Sequence, residues 1–274
     1  MSDDGDTLWE YIEVWKASAD NVSALLRGLT PAEWDLPTAL PGWDVRAVAS
    51  HLAHLESELA GTPQPEVEVP EAPHITGPMG QFTERGPIAR REWEPEAIID
   101  EFGQSVALRY ERLAGDPPQD GDALAPGFAG LIGWSWRTLL SNRPVDLWMH
   151  EQDIRRAIGR PGGLTSAGAV HATATLSSSL PYVFGKRVQA PPGSSLVLEL
   201  TGATARTFTV KIGEDGRGRM SVEPPAEPTV RIGLDFADWI ALAGGRAAGD
   251  AVEAAIEGDR ELATRTLGSM AVTP

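Results

Sequence analysis

Asp146 and His150 stand four residues apart in the stretch Arg143-Pro-Val-Asp-Leu-Trp-Met-His-Glu-Gln-Asp-Ile-Arg155. On a helix that spacing puts both side chains on one face, about 40° apart around the axis. A carboxylate and an imidazole so placed can share one divalent cation, which takes its ligands from converging directions. Far upstream, His51 lies in a second strongly helical segment, Asp44-Val-Arg-Ala-Val-Ala-Ser-His-Leu-Ala-His-Leu55, and can supply a third ligand. Metal sites in helical bundles are built this way, from inward groups on facing helices. Two histidines and one carboxylate leave coordination positions open, as a catalytic site requires. With nitrogen and oxygen donors and no sulfur, zinc is the expected ion; iron, nickel and manganese also accept such ligands.

Helical arithmetic separates the two histidines of the upstream segment. Val45, Val48, Leu52, Leu55 and Leu59 form an apolar stripe. At 100° per residue His51 falls about 80° from the middle of that stripe and His54 about 140°. His51 therefore borders the core, and His54 is expected to face water. A plainer reading exists for each group: His51 as a hydrogen-bonded core histidine, Asp146 as an acid favoured in the first turn of its helix. Glu56, Glu151 and Asp153 are candidates for orienting the imidazoles or for solvated surface acids. Trp43, Trp134, Trp136 and Trp148 lie near the candidate ligands in sequence and serve core packing equally well. His74 and His171 have no partner at ligand spacing and read as structural or exposed.

The elements that must position these residues are mostly helices. Residues 6–28 carry apolar side chains at helical spacing. Thr30-Pro31-Ala32-Glu33 is a capping box before a short helical turn. Asp44 is an N-cap for a helix over 45–60, closed by Gly61. Residues 62–94, rich in Pro, Glu and Gly, read as a long loop or lid. A helix from Pro95 to Gly115 follows, then a loop over 115–142, then a helix that opens with Pro144 at its first position and ends at Ile158. A fifth helix is expected over 165–184. Ala190-Pro-Pro-Gly-Ser194 breaks the chain, and strand-like runs follow at Leu196–Leu200, Thr207–Ile212 and Thr229–Ile232. Residues 235–243 and 248–268 return to helix. The fold class is thus α+β: a helical bundle over 1–188, then a small α+β domain over 189–274.

Composition narrows the function. The 274 residues carry a net charge of −16, which argues against nucleic acid and against an anionic membrane surface as partners. No window is long and apolar enough to span a bilayer. The opening Met-Ser-Asp-Asp-Gly-Asp lacks the order of a signal peptide, so a cytoplasmic protein is expected. The chain has no cysteine, which removes disulfides, thiolate-bound zinc and a cysteine nucleophile. A thiol that does chemistry here arrives on a small molecule. There is no Gly-x-Ser-x-Gly elbow and no phosphate loop, and Gly213-Glu-Asp-Gly-Arg-Gly218 reads as a hairpin turn.

Three segments carry a family resemblance: Leu36-Pro-Thr-Ala-Leu-Pro-Gly-Trp-Asp-Val-Arg-Ala-Val-Ala-Ser-His-Leu52, Asp146-Leu-Trp-Met-His-Glu-Gln-Asp-Ile-Arg-Arg-Ala157, and Ile256-Glu-Gly-Asp-Arg-Glu-Leu-Ala-Thr-Arg-Thr-Leu-Gly-Ser-Met270. They resemble the mycothiol-dependent maleylpyruvate isomerase family, a branch of the DinB-like metal-binding bundles. The resemblance covers nearly the whole chain apart from 62–94. It implies a DinB-like four-helix bundle with a sterol-carrier-like C-terminal domain, and it implies His51, Asp146 and His150 as metal ligands. At the acid position the family more often carries Glu, so Asp146 is one methylene shorter.

The resemblance further implies zinc and mycothiol as cofactors and a small unsaturated or electrophilic acid as substrate. In the implied reaction a thiolate adds to a cis double bond, the resulting single bond rotates, and elimination returns the trans product. A cation that steadies the carboxylates or enolate is implied too, with Arg246 in the Gly-Gly-Arg turn as candidate. Conjugation of the thiol to an electrophile, an S-transferase activity, uses the same thiolate. A non-enzymatic protein that binds a small apolar ligand is the remaining class. The residues set no oligomeric state.

Overall fold

Asp44 opens the helix that carries His51: its carboxylate accepts from the Ala47 N–H at 2.7 Å, and α2 (Val45–Leu59) follows. The computed structural model describes residues 3–273, which divide into two compact units, 1–171 and 172–274. In the first unit α1 (Asp3–Arg27), α2, α4 (Pro95–Gly115) and α6 (Trp136–Ala157) form a four-helix bundle. Helix α1 packs on α4 and α6, and α2 packs on the same pair from the other side. Leu8, Ile12 and Trp15 of α1, Val48 and Leu52 of α2, Ile98 and Phe102 of α4, and Leu140, Leu147 and Ile154 of α6 fill the space between them. Burial of these stripes, rather than helix propensity, holds the bundle together.

Several elements differ from the sequence expectation. Residues 62–94 are not all loop, because α3 (Gly77–Ala89) lies within them and packs on α2. Its glycines and prolines hide it from a propensity reading, yet one of those glycines makes the packing possible. A Cβ on Gly86 would fall 2.7 Å from the His54 Cβ and 2.9 Å from the Ser50 carbonyl oxygen. His54, expected in water, is consequently buried beneath α3, 2% exposed. The loop over 115–142 contains a short helix, α5 (Gly127–Leu131).

Helix α6 begins at Trp136 rather than at Pro144. Its cap is Ser135, whose hydroxyl accepts from Thr138 N–H at 3.3 Å, and buried Leu139 and Leu140 draw the earlier turns into the fold. Pro144 is thus an interior proline, tolerated at the loss of one helix hydrogen bond. Asp146 lies in mid-helix, so the first-turn explanation for it falls away.

Helix α7 (Ala167–Ser178) runs through the point at which the two units divide, and a turn α8 (Leu180–Tyr182) and a π-type turn (Val183–Arg187) follow it. These turns pack on strands of the second unit, which is why that unit starts ahead of the break at Ala190–Ser194. There β1 (Ser195–Thr201), β2 (Arg206–Ile212), β3 (Gly218–Ser221), β4 (Val230–Asp235) and β5 (Ala255–Gly258) form one sheet in the order β3-β2-β1-β4-β5. The β1–β4 pair is parallel and the others antiparallel. Leu196, Leu198 and Leu200 of β1 are in register with Val230, Ile232 and Leu234 of β4, and all six are buried. Helix α9 (Phe236–Ala243) packs on this sheet with Trp239 fully buried.

The expected helix over 248–268 is instead β5 followed by α10 (Arg260–Leu267), capped by Asp259. Pairing with β4 overrides local preference in so short a strand. The result is an α+β chain. No helix among the described residues is long and apolar enough to cross a membrane.

Candidate metal centre

His51 on α2 and Asp146 and His150 on α6 converge inside the bundle. Each offers one ligand atom, and the three atoms lie within 4.8 Å of one another. His51 Nε2 is 3.9 Å from Asp146 Oδ2, and His150 Nε2 is 3.6 Å from Asp146 Oδ1. The two imidazole rings stand edge to face with centroids 5.0 Å apart. Both histidines are buried, whereas the Asp146 side chain keeps 22% of its surface exposed and marks the open side.

Burial pushes the His51 imidazole below its ordinary pKa, and the neighbouring Asp146 only partly opposes that, so the ring is neutral near pH 7. Burial works against ionisation of Asp146, but Arg143, His150 and His51 together outweigh it and hold the carboxyl well below its usual range. Neutral imidazoles and an ionised carboxylate are the protonation states that ligate a divalent cation. The donor set and its spacing therefore fit a zinc-type ion.

The surroundings fix the donors. His150 Nδ1 is 3.0 Å from Asp153 Oδ2, a contact that fixes the ring with Nε2 on the side of Asp146. Trp43 walls the site, its ring centroid 4.9 Å from that of His51 and 6.1 Å from that of His150. The Trp43 indole N–H donates to Glu84 Oε2 of α3 at 2.8 Å, and His74 Nε2 lies 3.7 Å from the same oxygen. His74 also packs over Gly42, where an added Cβ would fall 2.5 Å from its ring. The 62–94 segment is thereby fastened to the wall of the site.

Beneath Asp146 lies a buried charge network. Arg143 Nη1 donates to Asp146 Oδ2 at 2.8 Å, and Arg143 Nη2 donates to Glu56 Oε1 at 2.7 Å. Glu56, with none of its surface exposed, also accepts from Arg109 Nη1 of α4 at 2.7 Å and from Trp15 Nε1 of α1 at 3.0 Å. One side chain from each bundle helix meets at this carboxylate or donates to it. Burial alone would raise the Glu56 pKa, yet Arg143 and Arg109 bring it below the ordinary value.

Of the acids considered beside the histidines, Asp153 orients His150, while Glu56 acts at one remove through Arg143. Glu151 turns away to Arg155, at 2.7 Å. Trp43 is the tryptophan at the site. Trp148 is core and donates to Gly163 O, and Trp134 and Trp136 pack around Ala125 and Leu139. His171 stacks edge-on against Tyr11 at 5.2 Å and is structural. Arg246 lies in the second unit, where it bonds to Gly244 O and Thr273 Oγ1 and braces its own turn. Arg143 is the cation in contact with the acid, and the sequence reading passed over it. Its signal was present as an i, i+3 partner of Asp146 on the same helical face.

Residues 15–155 match the model of the mycothiol maleylpyruvate isomerase N-terminal domain. Two solved structures share the fold over 90% of this chain and 92% of theirs at 18% identity: the mycothiol-dependent maleylpyruvate isomerase, with a TM-score of 0.52, and a histidine-to-alanine mutant of a protein of that name, with a TM-score of 0.54. A comparison with curated proteins finds no match. The matched segment covers more than half of the sequence and holds all three converging side chains, and so the chain belongs to the family defined by the mycothiol maleylpyruvate isomerase N-terminal domain.

Proposed function

We propose that this protein is a metal-dependent enzyme that uses the thiol of mycothiol to isomerise a small cis-unsaturated acid of the maleylpyruvate type. The observation that carries the reading is the convergence of His51, Asp146 and His150 within 4.8 Å in a bundle of this family. These residues would hold the ion, which we take to be zinc. When bound, zinc supplies a charge that keeps a thiol as thiolate at neutral pH. Mycothiol supplies the nucleophile, whose reversible addition to a carbon–carbon double bond permits rotation about it.

The chain's own residues provide the setting. His51 presents a neutral nitrogen, Asp153 keeps the His150 ring from rotating, and Trp43 shields one side from water. Asp146, half-buried, leaves the site open on its own side, where a thiol and a substrate can enter. A site screened in this way strengthens every charge interaction within it.

Metal analysis of the wild type against His150→Ala tests the site. Stoichiometric metal in the wild type, bound more than about a hundredfold more weakly in the variant, supports it, since loss of a direct ligand exceeds the effect of an outer partner. Equal metal in both refutes it. Incubation with mycothiol and maleylpyruvate then tests the reaction. A trans product supports isomerisation, and a stable thioether adduct in its place reassigns the enzyme as an S-transferase. No turnover with either this substrate or a generic electrophile points to a ligand-binding protein.

A further inference from the structure

The contact between Arg143 and Asp146 bears on how the acid can serve a cation, an inference that rests on the metal reading above. Asp146 has two carboxylate oxygens, and the structure gives them different neighbours. Oδ2 accepts from Arg143 Nη1 at 2.8 Å and lies 3.9 Å from His51 Nε2, while Oδ1 is 3.6 Å from His150 Nε2. Arg143 is itself held on its other side by Glu56. Its Nε and Nη2 both donate to Glu56 Oε1, at 3.1 and 2.7 Å, and it is 2% exposed. Glu56 is itself fixed from two further helices by Trp15 and Arg109, and the Arg109 guanidinium lies 4.4 Å from the centre of the Trp15 ring. A guanidinium bonded through separate nitrogens to two carboxylates holds both in plane and in register, which a lysine cannot do.

We propose that Arg143 is a positioning residue: locked by Glu56, it occupies Asp146 Oδ2 and leaves Oδ1 as the one oxygen free to donate to a bound cation. Two consequences follow. A carboxylate already shared with a guanidinium donates more weakly, so a cation held there stays more electrophilic. Restriction to one oxygen also keeps a position open for a thiol. The short side chain at residue 146 belongs to this arrangement, because Arg143, three residues earlier on the same helix, reaches it directly.

Cobalt(II) titration of the intact protein tests the proposal without reference to turnover. In wild type the visible spectrum of the bound ion reports its coordination number, and competition with a chelator reports its affinity. Arg143→Met is expected to bind cobalt about tenfold more tightly, because a positive charge beside the ion is gone. Its visible bands are expected to weaken as Asp146 donates through both oxygens and the coordination number rises. The Glu56–Arg109 pair stays balanced in that variant. Arg143→Lys keeps the charge without the fork and is expected to change the spectrum with less gain in affinity, so it serves if the methionine variant does not fold.

Arg109→Met removes the other arginine on Glu56 and should leave the cobalt spectrum as in wild type. If the Arg143 variants keep the wild-type spectrum, or if Arg109→Met alters it equally, the inference is overturned and the contact is structural only. If wild type takes up no cobalt, the metal reading fails first and the inference falls with it.

Discussion

In the first unit Glu56, Arg90, Arg109, Arg143, Glu151 and Asp153 are all buried, whereas among the described residues from 172 onward every buried polar side chain is a serine or threonine. The second unit bonds its hydroxyls to main-chain groups. Thr266 donates to Leu262 O at 2.7 Å, and Ser195 accepts from Thr229 N–H at 3.1 Å. It is a core of ordinary composition with Trp239 and Phe236 at its centre. The bundle instead carries ionised groups where water cannot solvate them, and such groups cost free energy unless each is paired and hydrogen-bonded. Evolution tolerates that cost where the charges serve a site. The contrast therefore gathers the buried, paired charges in the unit that holds His51, Asp146 and His150.

The severest test of the contrast is Glu56→Ala. It leaves two buried guanidinium groups facing a void, and loss of one partner from a buried pair costs about 3–5 kcal/mol. Chemical denaturation should show a loss of that size. A loss below about 1 kcal/mol would mean that the buried charges are not interlocked and that the two units differ only in composition.

His54 gives the next largest effect. Burial lowers its pKa to about 4, against an opposing hydrogen bond to the Gln64 side-chain oxygen and with help from the charge of Arg90. The folded form thus binds its proton more weakly than the unfolded chain, whose histidine titrates near the ordinary value of 6.5. Between those two values the unfolded state holds more protons, so this contribution is full above pH 6.5 and is lost as pH falls toward 4, at most about 3 kcal/mol in all. His54→Gln should flatten the fall in stability between pH 6.5 and 4 relative to wild type. Identical slopes in the two proteins would show that His54 is not the group responsible.

The same residue shows what the sequence could and could not disclose. Helical arithmetic placed His51 at the core edge and Asp146 and His150 on one face, because ligand spacing is a local property of a helix. Caps at Thr30 and Asp44 and the helix start at Pro95 were legible for the same reason. His54 was not, since its burial depends on α3, whose Gly77, Pro78, Gly80, Gly86 and Pro87 read as loop. Close approach to α2 rewards Gly86 only once the partner helix is present. β5 was hidden likewise, being a strand made by pairing with β4 rather than by its own residues. The Glu56 network escaped because it joins residues 15, 56, 109 and 143, whose proximity no periodicity reveals.

Asp153→Ala sharpens the comparison at the site itself. It removes the acceptor 3.0 Å from His150 Nδ1, and loss of such an outer partner lowers metal affinity about 10- to 100-fold. Circular dichroism should stay native while chelator competition reports the loss. Unchanged affinity would mean that packing alone orients the His150 ring.

The smallest effect is expected in the second unit. Thr266→Val keeps the shape of a fully buried side chain and deletes a hydroxyl that donates to the Leu262 carbonyl within its own helix. That carbonyl keeps its place in the helix ladder, so no buried charge is exposed and no strong acceptor is stranded. The cost should be about 1 kcal/mol or less. A loss comparable with that of Glu56→Ala would dissolve the distinction, because polar groups of the second unit would then be interlocked as tightly as the charges in the bundle. A small loss beside a large one, measured by the same denaturant titration, locates the interlocked charge in the unit that holds His51, Asp146 and His150.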